Sequence, residues 1–114
     1  MESYIDYVIK LNLIPHPEGG YYKEVYSSDE IVHKNSLTER YDGDRNFGTS
    51  IYYLLPICSF SSFHKLKSDE IWHFYVGSPI NIYLLKPESS LQIVKLGNNI
   101  SNNEVLQFTV PKDT

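Results

Sequence analysis

The chain has 114 residues, a formal net charge of −4 and a hydrophobic content of 41%. This length excludes more than one domain, and the hydrophobic content is typical of a chain with a packed core rather than a disordered one. The mild negative charge gives no general electrostatic reason to bind nucleic acid or an anionic membrane. No stretch approaches the roughly 20 apolar residues that span a bilayer.

The sequence also limits the compartment in which we expect the protein. The N-terminal segment lacks the basic residues and apolar run of a secretory signal, so a cytoplasmic protein is expected. Cys58 is the single cysteine, which excludes an intrachain disulfide and a multi-cysteine zinc site. We interpret its side chain as a small buried hydrophobe.

One helix is predicted at the start of the chain, over residues 3–13. Ser3 is a suitable N-cap, and Asp6, three positions later, is a capping-box partner. The apolar residues Ile5, Val8 and Ile9 recur at helical spacing and would share one face. Pro15 and Pro17 are expected to end the helix.

The rest of the chain is predicted to form short strands, the first of them Tyr21–Tyr26 after the pair Gly19-Gly20. Residues 27–47 are predicted to form a long exposed loop, with at most short strand pieces. Closely spaced strands separated by turn residues indicate an antiparallel sandwich or barrel, here a single domain over residues 1–114. The later predicted strands are Thr49–Leu55, Ser59–His64, Glu70–Val76, Ile80–Leu85, Leu91–Leu96 and Val105–Val110.

The most informative segment surrounds His64 and Glu70. If the predicted strands that end and begin at these residues form a hairpin, the imidazole and the carboxylate lie close together. Such a pair can act as a general acid and base or supply part of a metal site. Trp72 and Phe74 share the parity of Glu70 and would line the same cavity, whereas His73 has the opposite parity.

Each of these side chains also has an ordinary structural interpretation. A histidine at a strand end can simply be hydrogen-bonded, and a glutamate beside a turn can be exposed, so the roles of His64 and Glu70 stay open. Trp72 and Phe74 can equally be core residues. Three further histidines are assigned no role: His16, His33 and His73.

The same segment resembles the first cupin motif, in which two histidines one residue apart precede a glutamate and a glycine. His64, Glu70 and Gly77 occupy three of these positions, and Leu66 stands where the second histidine belongs. More narrowly, the chain resembles the cupin-5 family in three segments: PHPEGGYY at residues 15–22, IYYLLP at 51–56 and SDEIWHFY at 68–75.

The resemblance covers the chain from its first helix to its C-terminus. It implies a mostly β, RmlC-like jelly roll with one N-terminal helix, in which two antiparallel sheets enclose a small-molecule cavity, usually in a homodimer. It also implies further strands after residue 110, so we expect the chain to lack the last strands and the second cupin motif. Three interpretations of the missing strands remain open. The chain is a naturally short gene product, or it is a fragment, or a partner chain covers the exposed strand edges, with or without strand exchange.

The first functional expectation is a cupin that binds a small molecule such as a sugar, a nucleotide or a small acid. His64 and Glu70 would orient its polar groups, and aromatic side chains would stack on its ring. The predicted ligand contacts are Tyr22, Glu24, Tyr53, Phe63, Trp72 and Phe74.

Three alternatives are kept. Residues 20–24 (GYYKE) resemble a strand of dTDP-4-dehydrorhamnose 3,5-epimerases, which implies an epimerase or isomerase with His64 as general base. The second alternative is a metal-dependent cupin with a divalent metal held by His64 and Glu70. Leu66 weakens it, because this residue stands in place of a histidine ligand; no other cofactor is expected. The third is a structural remnant without pocket chemistry.

Overall fold

The computed structural model describes residues 2–114, which fold as two compact units: the first ends at His64, and the second runs from Lys65 to Thr114. The single domain expected from the length stays a prediction. The helix and strands are α1 (Tyr4–Lys10), β1 (Ile14–Pro15), β2 (Tyr21–Ser27), β3 (Ile31–Val32), β4 (Arg45–Asn46), β5 (Thr49–Leu54), β6 (Glu70–His73), β7 (Ile80–Leu85), β8 (Leu91–Leu96) and β9 (Gln107–Val110).

The predicted helix and its capping box are confirmed. The Ser3 hydroxyl accepts a hydrogen bond from the Asp6 amide, and the Asp6 carboxylate accepts one from the Ser3 amide at 2.9 Å. The helix ends at Lys10, earlier than predicted. Asn12 has a φ of 55°, and a residue in this left-handed conformation terminates a helix without the help of the later prolines.

In the first unit, β1, β2 and β5 form an antiparallel sheet with β2 in the centre. Tyr22 of β2 lies opposite Tyr53 of β5, and Tyr21 lies opposite Leu54. The register shifts between Glu24 and Tyr26, where an extra residue bends the strand. The sheet therefore brings the two tyrosines of the predicted ligand site together.

The long segment between β2 and β5 is organised around Tyr41. This side chain is only 8% exposed, and the guanidinium carbons of Arg40 and Arg45 lie 4.6 and 5.3 Å from its ring centroid. The Lys34 ammonium donates to the Tyr41 carbonyl at 3.1 Å. Strands β3 and β4 pair across the segment, so the segment is a small folded hairpin. These two strands are the short strand pieces that the prediction allowed for.

The second unit contains two antiparallel pairs, β6 with β9 and β7 with β8. Strands β7 and β8 have the predicted bounds. Leu84 and Leu96 are 2% and 1% exposed and form the most buried part of the unit. The Glu104 carboxylate is also buried in this unit, and it accepts a hydrogen bond from the Asn99 amide at 3.0 Å.

The predicted hairpin that joined His64 to Glu70 is wrong. Residues 59–64 form no strand, and β6 pairs with β9, with Glu70 opposite Val110. The amide of Ser62 donates to the Glu18 carbonyl at 2.7 Å, so this segment is held by the turn after β1 instead of by a strand ladder. Cys58, expected to be buried, is exposed in a turn with a φ of 63°.

The mostly β fold with antiparallel pairing and one N-terminal helix is confirmed. Within residues 2–114 the hydrogen-bonded strands form one three-stranded sheet and three two-stranded sheets, each of them inside one unit. In the same range, no helix has the length and apolar character needed to cross a bilayer.

Candidate functional site

A tight hydrogen-bonded turn connects β1 to β2 in the first unit. The His16 amide donates to the Gly20 carbonyl at 2.8 Å. Gly20 has a φ of +78°, and a Cβ there would lie 2.6 Å from the Leu54 carbonyl oxygen and 2.7 Å from the Tyr53 hydroxyl. Glycine is therefore required both by the backbone conformation and by the close approach of β5.

His16, assigned no role from the sequence, lies at the centre of this turn. Its Nδ1 accepts a hydrogen bond from the Glu18 amide at 3.0 Å and lies 3.3 Å from the Glu18 carboxylate. Its ring packs edge-on against Tyr22 at 5.0 Å and against Tyr53 at 5.5 Å between centroids. The signal that could have found it is Gly19-Gly20, which predicts a tight turn that folds back over the next strand.

The Tyr53 hydroxyl connects the turn to the segment after β5. It donates to the Gly19 carbonyl and accepts a hydrogen bond from the Ser61 side chain. Burial raises the pKa of Tyr53 above its ordinary value; the Ser61 hydrogen bond opposes this effect, and the Glu18 charge adds to it. Tyr53 is consequently held as a neutral hydrogen-bonding phenol.

The other predicted residues of the first unit lie outside this cluster. Glu24 is exposed on β2, and the Phe63 side chain is 71% exposed. The His64 Nδ1 donates to the Ser62 carbonyl at 2.8 Å. Because a carbonyl oxygen can only accept, Nδ1 carries a proton in this contact, and in the neutral ring the lone pair is then on Nε2.

In the second unit, Glu70 and Trp72 form the central contact. The Trp72 indole N–H donates to a Glu70 carboxylate oxygen at 2.8 Å. Both side chains lie on the half-buried face of β6, opposite Val110 and Phe108 of β9. His73 lies on the exposed face, 3.0 Å from Gln107. The predicted parity of these residues thus holds, although the strand ends before Phe74, which is half-buried.

A shallow groove in the second unit contains none of the predicted site residues. Its lining combines apolar with charged side chains, and it opens at the turn between β7 and β8. The lining residues are Lys65, Leu85, Lys86, Pro87, Ser89 and Asp113.

Comparison with known proteins decides the family. The model of the Cupin_5 family, described as "Cupin superfamily (DUF985)", matches residues 6–114. The chain belongs to this family. The resemblance predicted from the sequence motifs is therefore confirmed, and the antiparallel strands of this cupin agree with it.

Individual relatives support the assignment. The cupin is 33% identical over 105 residues to "Uncharacterized protein YML079W" of Saccharomyces cerevisiae, covering 87% of this chain and 52% of the yeast protein. It matches the solved structure of protein SO0799 from Shewanella oneidensis with a TM-score of 0.87 and 34% identity, over 99% of this chain and 66% of that one.

A second solved structure, of a hypothetical protein from Leishmania major, matches with a TM-score of 0.83 and 32% identity. The match covers 97% of this cupin and 66% of the Leishmania chain. The cupin thus spans about half the length of the yeast relative and about two thirds of each solved chain.

The donor set for a cupin metal is incomplete in this sequence. Leu66 replaces one histidine of the motif, which leaves His64 and Glu70 as its candidate ligands. No group of three His, Cys, Asp or Glu side chains in residues 2–114 is arranged to hold a metal ion. An open metal site ordinarily needs about three protein ligands, so the residues present do not fit a metal centre, and no catalytic step is derived through one.

Proposed function

We propose that this cupin binds a small polar ring compound, such as a sugar or a nucleotide, with Glu70 as its main polar contact. The observation that carries the proposal is the hydrogen bond from the Trp72 indole to Glu70 on the half-buried face of β6. A carboxylate fixed beside an aromatic ring is suited to a ligand that has both hydroxyl groups and a flat face.

The Glu70 carboxylate retains an accessible acceptor. The Trp72 indole occupies Oε1, and no buried side-chain oxygen or nitrogen in the described residues lacks a partner. Since Oε2 has no partner within residues 2–114, it is reached by solvent and can accept hydrogen bonds from ligand hydroxyls. Hydrogen bonds to a carboxylate are about twice as strong as those between neutral groups.

The surroundings of Glu70 favour a ring over an extended chain. Phe108 and Val110 lie opposite Trp72 and Glu70 on the same half-buried face. Apolar and aromatic neighbours lower the local polarity, which strengthens hydrogen bonds to the carboxylate and provides a surface for stacking.

The test is ligand binding by calorimetry after a thermal-shift screen of free hexoses and nucleoside diphosphate sugars. We expect Glu70→Gln to weaken binding of the best compound by at least about tenfold, because it replaces charged hydrogen bonds by neutral ones. Trp72→Phe, which keeps the ring and removes the donor, should weaken binding less. Glu88→Gln alters an exposed carboxylate of the same unit and serves as the matched control.

Two results would contradict the proposal. One is the absence of binding by every compound of the panel at millimolar concentration. The other is equal affinity of Glu70→Gln and the unaltered protein for the compound that binds best.

A second candidate function is proton abstraction by His64, as in an epimerase or isomerase acting on a keto sugar. The observation that favours it is the hydrogen bond from His64 Nδ1 to the Ser62 carbonyl, because in the neutral ring this contact puts the lone pair on Nε2, which can then act as a base. Deuterium uptake from heavy water at the carbon beside the carbonyl, lost in His64→Ala, would support this function.

We also propose that the protein forms a homodimer, with or without exchanged strands. One face of the β7–β8 hairpin carries four large apolar side chains that are about half exposed: Tyr83, Leu85, Leu91 and Ile93. A contiguous apolar surface of this kind is commonly covered by another chain. The mass of the protein in solution tests this proposal.

A further inference from the structure

The groove at the turn between β7 and β8 is lined by two segments that are distant in sequence. Four of its lining residues belong to this turn, and the other two are Lys65 and Asp113. The groove has a volume of about 490 Å³, and small-molecule sites ordinarily have about 300–1,000 Å³. It is therefore large enough for a monosaccharide derivative.

Hydrogen bonds bring Lys65 and Asp113 to the same part of the second unit. The Asp113 amide donates to the Leu66 carbonyl at 3.0 Å, and the Lys112 amide donates to the Asp69 carboxylate at 2.9 Å. The residues that follow Lys65 are thus bonded to the segment that contains Asp113. An ammonium and a carboxylate consequently reach the groove from one hydrogen-bonded pair of segments.

The two lysines of the groove have no compensating negative partner. Within residues 2–114 the ammonium groups of Lys65 and Lys86 form no hydrogen bond and no salt bridge, and the Asp113 carboxylate, which lines the same groove, pairs with neither. The pKa of Glu88 is lowered chiefly by hydrogen bonds from its own amide and from Ser90, with a smaller effect of the Lys86 charge. Since Lys86 is half-buried, its charge favours an anion from outside the chain.

Ser89 occupies a backbone position that favours glycine. The Lys86 amide donates to the Ser90 carbonyl at 2.9 Å, and the Ser89 amide donates to the Lys86 carbonyl at 2.8 Å, so the turn is a tight hairpin loop. Ser89 has a φ of 66°, and glycine is the usual residue at such a left-handed position. Asp113, with a φ of 64°, is a second lining residue in this conformation. Residues held in this way cluster at ligand sites.

We propose that this groove binds a phosphate monoester of a sugar or another polyol. Lys65 and Lys86 bind the phosphate oxygens, because an ammonium group binds phosphate as a compact charge. The Asp113 carboxylate accepts hydrogen bonds from hydroxyl groups of the ligand, and the Ser89 hydroxyl exchanges hydrogen bonds with them. Two positive charges and one negative charge suit a ligand whose anionic group and hydroxyl groups are separate parts of the molecule.

The alternative interpretation is a solvent-filled depression whose lysines are ordinary surface charges. In that case anions experience only the overall charge of the chain, which is −4 and repels them. Measurable binding of a phosphate monoester is therefore not expected from a solvated surface, and the two interpretations predict different results.

The test is titration of the full, 15N-labelled chain with D-glucose 6-phosphate, followed by calorimetry and by amide chemical shifts. We expect a millimolar or lower Kd, with the largest shifts at the amides of Lys86, Ser89 and Asp113. D-Glucose, which lacks the phosphate, should bind at least about tenfold more weakly, because the charge-assisted contacts are lost. The absence of binding by D-glucose 6-phosphate at millimolar concentration would overturn the proposal.

Removal of either lysine charge tests the phosphate contact. Lys86→Gln and Lys65→Gln should each weaken binding of D-glucose 6-phosphate by about tenfold. Lys95→Gln is the matched control, because Lys95 is an exposed lysine of the same unit that does not line the groove. An equal effect of the control would show that binding follows the overall charge, which contradicts a site in the groove.

Asp113→Asn tests the hydroxyl contact through opposite effects on two ligands. Asparagine tolerates the left-handed backbone conformation, so the variant should fold. It should weaken binding of D-glucose 6-phosphate by about threefold, because the ligand hydroxyls lose a charged acceptor. It should strengthen binding of inorganic phosphate, because a negative neighbour is removed. Strengthening of both ligands would refute the role of Asp113.

Ser89→Gly separates binding from folding. Glycine suits a φ of 66° better than serine does, so the free energy of unfolding in urea should not fall. Binding of D-glucose 6-phosphate should weaken by about threefold, because a ligand hydroxyl loses a hydrogen bond. Unchanged binding in this variant would show that the Ser89 hydroxyl does not contact the ligand.

The outcome is separable from the ring-compound site proposed at Glu70. Glu70 and Trp72 do not line the groove, so Glu70→Gln should leave binding of D-glucose 6-phosphate unchanged. Leu85 is shared with the apolar face of the β7–β8 hairpin, but neither lysine belongs to that face. Binding that is lost in Glu70→Gln and retained in Lys86→Gln would assign the ligand to the Glu70 site and remove the groove as a binding site.

Discussion

At the scale of single residues, the glycines of the turn after β1 show how a site is set by the absence of a side chain. Gly20 combines a φ of +78° with the approach of the Tyr53 hydroxyl to 2.7 Å of a Cβ position. Any larger residue strains the backbone and displaces β5. The position of the two tyrosines around His16 therefore depends on a residue that itself makes no side-chain contact.

Gly20→Ala should lower the free energy of unfolding by about 1–3 kcal/mol, the usual range for strain at a special backbone conformation. Urea denaturation measures this change. Gly48→Ala is the matched control, because a Cβ at Gly48 has open space within 4 Å and no positive φ. Equal effects of the two substitutions would show that the turn tolerates a side chain.

Tyr53 should couple stability to alkaline pH. Its pKa is raised above the ordinary value of 10.0 in the folded chain, chiefly by burial. A raised pKa means that its stabilising contribution is complete below about pH 10 and is lost as the pH rises through the folded pKa. We expect Tyr53→Phe to reduce the decline in the free energy of unfolding between about pH 9 and 11. An identical decline in both proteins would refute this assignment.

At the scale of elements, the connection between β8 and β9 is held by a buried carboxylate. Glu104 is 7% exposed and accepts from the Asn99 amide at 3.0 Å. A Cβ on Gly97 would collide with the Glu104 carboxylate, so the glycine makes room for it. Leu96, which directly precedes Gly97, is the most buried residue of the second unit. The Glu104 carboxylate thus orders the loop that follows this core residue.

Glu104→Ala should destabilise the protein by about 1–3 kcal/mol, because it removes a part-buried hydrogen bond between a carboxylate and the Asn99 amide. Glu104→Gln keeps an acceptor oxygen and should cost less. Chemical denaturation of both variants, together with hydrogen exchange at the Asn99 amide, measures the effect. Faster exchange in the alanine variant alone would agree with the loss of one hydrogen bond, whereas unchanged exchange would contradict it.

At the scale of the whole molecule, the exposed apolar face of the β7–β8 hairpin is the surface on which the proposed homodimer rests. Tyr83 lies opposite Ile93 and Leu85 opposite Leu91, so the four side chains form one surface. Each is at least half exposed. Exposed apolar surface of this extent favours self-association through the hydrophobic effect.

Light scattering at micromolar concentration should give a mass close to two chains. Ile93→Lys, which places a charge within the apolar face, should shift the mass toward one chain. Lys95→Glu changes a charge on the same face, opposite Asn81, and is the control for a purely electrostatic effect. A mass near one chain for the unaltered protein would remove the dimer proposal.

Local signals predicted those elements in which propensity and burial agree. Strands β7 and β8 have their predicted bounds because alternating apolar residues are flanked by turn residues on both sides. The capping box at Ser3 and Asp6 is also a local feature. The family followed from motifs that occur in order along the chain, and the family model over residues 6–114 confirmed it.

Tertiary structure decided the partners of those elements. The sequence around residues 59–64 has strand character, but the Ser62 amide bonds to Glu18, and β6 pairs with β9 instead. The neighbouring Gly19-Gly20 pair marks a turn at His16, but the place of His16 between Tyr22 and Tyr53 arises from a long-range strand register. Sequence alone thus determined the capping box of the helix and the bounds of β7 and β8, whereas hydrogen bonds between distant segments decided whether residues 59–64 form a strand and which side chains meet.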